Sequence, residues 1–358
     1  MKNIIIVVGA RPNFMKVAPL LRLIDKEKNF NITLVHTGQH YDKKMSDVFF
    51  KDLDIRMPDY NLNIGSASHS IQTARIMEKF EKVCEHIAPD LLIVVGDVNS
   101  TMACSLVAKK LHIKVAHVEA GLRSYDRSMP EEINRLVTDA ISDYCFVTEK
   151  SGEENLIKEG HNKNNIFLVG NLMIDSLYYG LNKIKSKKSV SDNDYGLITL
   201  HRPSNVDNID NLKDILSALS EISSEIKMFF SIHPRTKQNI MKHKIIISDN
   251  IKVLDATPYL DFLNIMKNAK IIFTDSGGIQ EESTVLKVPC YTLRNNTERP
   301  ITITQGTNRL VSPNKISILK SFKKFKYDIN SSYKLPYGWD GNTSKRIVDI
   351  IKELYIGE

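Results

Sequence analysis

An α/β fold of two doubly wound domains facing a cleft is what this sequence predicts, and three observations predict it. Short, wholly apolar, β-branched runs recur along the chain; segments with helical spacing separate them; and the alternation stops at a polar stretch and then begins again. Strands that are apolar at every position belong to parallel sheets covered on both faces. At 358 residues the chain is long for one core and suits two domains of ordinary size.

The elements follow in order. IIIVVG (4–9) is the first strand, and 12–26 has helical spacing at Val17, Leu20, Leu21 and Ile24. Next come the strand ITLVHTG (32–38), a helix over 70–86, the strand DLLIVVGD (90–97), a helix over 101–112, and the strands KVAHVEA (114–120), DYCFVT (143–148) and IFLVG (166–170). The second half repeats the scheme with GLITLH (196–201), KMFFSIH (227–233), IKVLD (251–255), KIIFTD (270–275) and VPCYTL (288–293). Both halves read as Rossmann-like. The polar run KIKSKKSVSDNDY (183–195) is the linker candidate, with the hinge inside 170–190, which gives domains over 1–170 and 171–340. A last helix over 342–355 has no strand after it. In such sheets ligands bind beyond the carboxyl ends of the strands, so the site is expected in the cleft.

Composition narrows the function classes. Apolar residues make up 42% and charged residues 25%, as in ordinary globular proteins. The net charge of +7 favours an anionic ligand, but no basic block is dense enough to argue for nucleic acid. Cys84, Cys104, Cys145 and Cys290 lie far apart without a Cys-x-x-Cys spacing, so they read as buried, reduced thiols of a cytoplasmic protein, and no metal site is expected. The apolar run at the N-terminus falls short of the ~7–15 residues of a signal core and reads as a strand. Nothing approaches the ~20 apolar residues of a membrane span.

Polar residues collect at the strand ends: Gly9-Ala10-Arg11-Pro12, Gly96-Asp97, Glu119-Ala120-Gly121, His201-Arg202-Pro203, His233-Pro234-Arg235 and Asp275-Ser276-Gly277-Gly278. Caps and turns account for Asp97, Ser276 and the glycines. They do not account for Glu119, His201 or His233. In TDSGGIQEES (274–283), strand, small-residue turn and helix place the N–H groups of Ser276, Gly277 and Gly278 where phosphate binds, with Glu282 one turn on for a ribose diol; a plain tight turn is the other reading. G-x-G-x-x-G and Walker A are both absent, so neither NAD nor ATP is supported. Arg11 and Lys16 suit a diphosphate, although Arg11 alone fits a structural ion pair equally well. Arg294, Glu298 and Arg299 follow the last expected strand, on a loop near the nucleotide. Asp97, Glu119 and Glu131 gather on the first domain's wall, where crowding drives carboxyl pKa values apart and supplies a base and an acid. His40, His69 and His117 read as structural histidines.

In this order, GARPNFMK, TGQHYD, GDVNST, HVEAGLRS, MPEEINR, LHRPSNVD, HPRT, DSGGIQEE and RNNTERP resemble the non-hydrolysing UDP-N-acetylglucosamine 2-epimerases over residues 2–311. The resemblance implies a glycosyltransferase-B-like fold with UDP held mainly by the second domain, and a C-terminal helix, within 341–358, that crosses back to the first. It implies reversible epimerisation of UDP-GlcNAc to UDP-ManNAc through a 2-acetamidoglucal, no cofactor, and a cytoplasmic homodimer. It assigns Arg11 and Lys16 to the diphosphate region, Asp97, Glu119 and Glu131 to catalysis, and His201 to the departing diphosphate. Ser276, Gly277 and Gly278 then hold phosphate and Glu282 the ribose, with His233, Arg235, Arg294 and Arg299 as further substrate contacts. Some members carry an activating UDP-GlcNAc site; Gln39, His40, Arg202 and His233 match it, whereas Asp42, Ser68 and His69 do not, and Ile301 stands where many members carry an acid. The rival readings are the same reaction on a diacetamido uronate or an acetamido-deoxyhexose nucleotide, a retaining glycosyltransferase, a UDP-sugar sensor, and a hydrolysing epimerase. A glycosyltransferase would leave the carboxylate trio without a purpose.

Overall fold

Fully apolar runs become interior strands of two parallel sheets in the computed structural model, which describes residues 1–38, 50, 52–255, 257–325 and 333–356, without the side chains of Arg11 and Phe325. The chain divides into two compact units, Met1–Tyr178 with Tyr337–Glu358, and Tyr179–Pro336.

The first unit holds β1 (Lys2–Val8), β2 (Phe30–His36), β3 (Tyr60–Asn61), β4 (Leu91–Val95), β5 (Lys114–Ala120), β6 (Tyr144–Val147) and β7 (Ile166–Leu168), in the order β3-β2-β1-β4-β5-β6-β7. β1 pairs in parallel with β2 (Lys2 opposite Phe30) and β4 (Ile4 opposite Leu91). The sheet order reverses direction between β1 and β4, and this is the switch point where a crevice opens beyond the strand ends. On one face Ile5, Val7, Val35, Leu92, Val94 and Val115 pack with Ile76, Phe80, Cys104 and Val107 from helices His69–Ile87 and Asn99–Lys110. Burying a side chain of this size contributes about 1.5–3 kcal/mol each, and alternating polar residues would forfeit it on one face.

The second unit holds β8 (Tyr195–Thr199), β9 (Lys227–Ser231), β10 (Ile251–Leu254), β11 (Ile271–Thr274), β12 (Cys290–Leu293) and β13 (Asn308–Val311), in the order β10-β9-β8-β11-β12-β13. Its switch point lies between β8 and β11, and its core includes Ile198, Leu216, Leu219, Phe230, Phe273 and Tyr291. β3 and β13 are additions to the sequence reading: the first has two residues, and NRLV in the second has too few apolar positions to stand out.

The last helix, Thr343–Ile356, packs on helix Arg11–Ile24. Asp175 receives the N–H groups of Thr343 at 3.1 Å and Ser344 at 2.7 Å, capping that helix from a distant part of the chain. The fully buried Trp339 donates from Nε1 to the Thr148 carbonyl at 3.1 Å. Among the described residues no helix is long and apolar enough to cross a membrane.

Candidate active site

The β1–β4 crevice of the first unit is assembled by short-range geometry. Asn13, in the first turn of helix Arg11–Ile24, accepts the Ala10 N–H at 3.0 Å and donates to the Val95 carbonyl at 2.7 Å, tying the two strand ends together. Lys16, one turn on, forms a buried ion pair with Glu119. Glu119 sits where the β5–β6 register shifts between Val118 and Ala120, with φ +76. A bulge re-aims a side chain, and a non-glycine residue in the left-handed region stores strain of about 1–3 kcal/mol, a feature that clusters at functional sites. Gly96, at φ +72, makes room for the pair: a Cβ there would lie 3.2 Å from Lys16 Nζ and 3.3 Å from Glu119 Oε2.

Asp97 follows Gly96 and pairs with Arg135 Nη1 at 2.5 Å. The buried Arg135 also binds Glu132 at 2.6 Å, and Glu132 accepts the N–H groups of Ser124 and Tyr125 at 2.9 Å each. Burial opposes the charge of Glu132, but the Ser124 N–H and the Arg135 guanidinium hold its carboxyl below the ordinary value. Glu131, in the first turn of helix Pro130–Ile141, is exposed and shares a helix face with Asn134, which donates to the Asp97 carbonyl at 2.9 Å, and with Arg135. Glu119 pairs with Lys16, which was expected on a diphosphate, and Asp97 shares Arg135 with Glu132.

His117 is structural, as its sequence context indicated. Fully buried, it bonds the Gly96 carbonyl through Nε2 at 2.8 Å and Asp139 through Nδ1 at 2.6 Å. Burial opposes the charge of Asp139, yet His117 and Arg123 keep its carboxyl low. His69 bonds Asn99, which also donates to Gln72 at 2.8 Å.

In the second unit the β8–β11 crevice places His201 over Asp275, Nδ1 to Oδ1 at 3.0 Å. Ser276, Gly277 and Gly278 form the turn into helix Gly277–Leu286. The Ser276 N–H already donates to Thr274 Oγ1 at 3.0 Å, so the turn offers an anion the Gly277 and Gly278 N–H groups, which have no carbonyl one turn back. Beneath it, Arg294 (2.9 Å), Arg299 and Arg202 (3.5 Å) surround the buried Glu298, and Arg299 also binds Glu281 at 2.6 Å. Burial resists the Glu298 charge, but Arg299, Arg294 and Arg202 hold the carboxyl far below the usual range. Arg294 and Arg299, expected against substrate, are thus held by carboxylates under the turn. A Cβ on Gly277 would lie 2.6 Å from Arg299 Nη1.

Glu282 is buried and accepts the Tyr259 hydroxyl at 2.9 Å; burial pushes its carboxyl up to about 8. Arg235 pairs with Asp207 on the surface. His233, judged a poor cap from sequence, does cap helix Pro234–Lys242, its Nδ1 accepting the Arg235 N–H at 3.2 Å, and its ring centroid lies 6.2 Å from that of His201. Of the expected regulatory residues, Gln39 and His40 lie outside the described residues, as does the Arg11 side chain, while Arg202 donates from Nε to the Asp275 carbonyl at 3.1 Å. Among the described residues no group of three or more His, Cys, Asp or Glu is placed to hold a metal ion. Sequence reading missed Asn13, Glu132, Arg135 and the role of Asp275; the three-residue spacing of Glu132 and Arg135 on a helix was the available signal for that pair.

The chain as a whole has counterparts among known proteins. The sequence profile of a family described as UDP-N-acetylglucosamine 2-epimerase matches residues 22–352. The UDP-N-acetylglucosamine 2-epimerase of Methanocaldococcus jannaschii is 44% identical over 97% of this chain and 98% of its own length. A crystal structure of the M. jannaschii UDP-GlcNAc 2-epimerase in complex with UDP-GlcNAc and UDP superposes with a TM-score of 0.91 at 43% identity, covering 98% of this chain and 99% of that one. The UDP-2,3-diacetamido-2,3-dideoxy-D-glucuronate 2-epimerase of Pseudomonas aeruginosa is 36% identical over 98% of this chain and its whole length. With paired Rossmann-like sheets and a likeness that runs nearly end to end, the chain belongs to the non-hydrolysing UDP-N-acetylglucosamine 2-epimerase family.

Proposed function

We propose that this chain interconverts UDP-N-acetylglucosamine and UDP-N-acetylmannosamine by expelling UDP and adding it back across a 2-acetamidoglucal. A carboxylate among Asp97, Glu119 and Glu131 takes the C2 proton. The C2–H electron pair becomes the C1=C2 double bond, and the C1–O pair leaves with UDP. Return of UDP to C1 with a proton on the opposite face of C2 gives the epimer. His201 meets the departing phosphate, Gly277 and Gly278 donate to phosphate oxygens, and Glu282 faces the ribose. Arg11 and the cations Arg235, Arg294 and Arg299 add positive potential for the diphosphate.

The observation that carries this reading is the 44% identity, over nearly the full chain, to a named UDP-N-acetylglucosamine 2-epimerase. A strained glutamate in one crevice and a small-residue helix turn in the other support it. The test is NMR of purified protein with UDP-GlcNAc in deuterium oxide: deuterium appears at C2 of both epimers without added NAD, and an unlabelled product would point to internal hydride transfer. The 36% identity to the P. aeruginosa enzyme supports a second reading, the same inversion on a UDP-diacetamido uronate, and side-by-side turnover of the two nucleotides separates them. The four free, buried cysteines suit a reducing, cytoplasmic setting. The working assembly is a homodimer, which light scattering tests.

A further inference from the structure

His201 and Asp275 meet across the β8–β11 switch point, and the recorded partners of the Asp275 carboxylate are all donors. The main-chain N–H groups of His201 and Arg202 reach it at 3.1 and 3.0 Å, Asn205 Nδ2 at 3.2 Å and His201 Nδ1 at 3.0 Å. A carboxylate accepts at about four lone-pair positions and, when ionised, cannot donate. Four donors therefore fill Asp275 in its ionised form, and a protonated acid would turn one contact into a clash of hydrogens. Burial opposes that charge, but His201 and the main-chain N–H groups hold the carboxyl below its ordinary value. With an acceptor-only group facing it, Nδ1 of His201 must carry its hydrogen.

We propose that Asp275 is a positioning residue for His201: it fixes the ring's rotation and keeps the hydrogen on Nδ1, so that Nε2 is the ring atom offered to a phosphate oxygen. The proposal rests on the UDP-elimination reading above. With Nδ1 already carrying its hydrogen, a proton taken from solvent enters the ring at Nε2; as the C1–O pair passes to the phosphate oxygen, that Nε2–H donates to it, and the bond is released when UDP returns to C1. The ring is open to such a ligand, with the His201 side chain 44% exposed while Asp275 is wholly buried. Its neighbour His233 is set the other way, because its Nδ1 accepts a main-chain N–H and leaves the hydrogen of a neutral ring on Nε2. Two histidines with ring centroids 6.2 Å apart thus hold opposite tautomers, each fixed by the partner of its Nδ1.

Long-range proton–nitrogen correlation spectra of the full chain labelled with nitrogen-15 histidine read this directly, His201 being assigned by its loss in His201→Gln. At a pH where the rings are neutral, His201 is expected as the Nδ1–H tautomer and His233 as the Nε2–H tautomer. An Nε2–H tautomer at His201 overturns the proposal, and this measurement needs no active variant. Asp275→Asn leaves one acceptor oxygen for four donors. It is expected to lower kcat about 10²-fold or more, with KM and UDP affinity within about threefold; a folded Asp275→Asn with wild-type kcat also overturns it. Should Asp275→Asn fail to fold, the wild-type spectrum decides. If the wild type itself does not epimerise UDP-GlcNAc, the functional reading falls, while the tautomer result stands or falls separately.

Discussion

The two crevices handle charge in opposite ways. In the first unit a cation meets one or two carboxylates, Lys16 pairing with Glu119 and Arg135 bridging Asp97 and Glu132, and Glu119 sits on strained backbone. In the second, three arginines share Glu298 beneath an unstrained small-residue turn. The Lys16–Glu119 pair opens when a single side chain moves. A carboxylate shared by three guanidiniums cannot move without stranding buried charge, which costs several kcal/mol. One crevice is suited to a group that must change partner during a reaction, the other to holding an anion still.

The largest expected effect breaks the first side of this contrast. Glu119→Gln and Asp97→Asn keep shape and remove charge; each should lower turnover by roughly 10²–10⁴-fold, the range for a lost acid or base, with UDP affinity by calorimetry unchanged. Glu131→Gln is expected to do the same. Because Glu131 is exposed, wild-type turnover in that variant would remove it from the chemistry and leave Asp97 and Glu119 to supply base and acid. Wild-type turnover in all three would make the charged pairs scaffolding.

Gly96→Ala and Gly277→Ala sharpen the comparison by one methyl group each. At Gly96 the added carbon meets Lys16 and Glu119 and must adopt φ +72; at Gly277 it meets Arg299 at 2.6 Å. Each should cost about 1–3 kcal/mol of stability, as overpacking does. The first is expected to lower kcat and spare UDP binding, the second to weaken UDP binding, and the reverse pattern would exchange the roles of the two units.

Glu282 gives a pH signature. Its carboxyl is raised from 4.5 to about 8, so the folded protein holds a proton there that the unfolded chain releases. That contribution to stability is complete below about 4.5 and is lost as pH rises through 8. Urea denaturation across this window should show Glu282→Gln flatter than wild type. Glu282→Ala should weaken UDP by about 1–3 kcal/mol, and unchanged affinity would remove it from the ribose.

The smallest effect concerns regulation. Ser68 caps helix His69–Ile87 by accepting the Ile71 N–H at 3.4 Å, and His69 bonds Asn99, so both are engaged where an activating site would need ligand contacts. UDP-ManNAc alone should therefore turn over without a lag; a lag cured by a trace of UDP-GlcNAc would restore the regulatory role of Gln39, His40 and Arg202.

What could be read from sequence follows the range of the interactions. Strands were legible because an apolar run such as IIIVV has only one place to go, and residues at the strand ends inherited their location from it. Pairings were not. Lys16 and Glu119 lie on different elements, and only the parallel order β1-β4-β5 brings them together. The role of Asp275 was hidden for the same reason, since its partners come from the turn after β8. The buried Glu132 and the exposed Glu131 differ by one helical position, a distinction that charge alone does not make.

The return of Tyr337–Glu358 to the first unit means that one folding domain is written in two pieces with another between them. During synthesis the whole second sheet leaves the ribosome before Trp339 can reach Thr148, or Ser344 can reach Asp175. The first sheet must wait, its last helix unmade, while the second can close on local information. Released chains truncated before residue 337 should therefore protect the inserted unit from protease while the unit that began first stays open to cleavage.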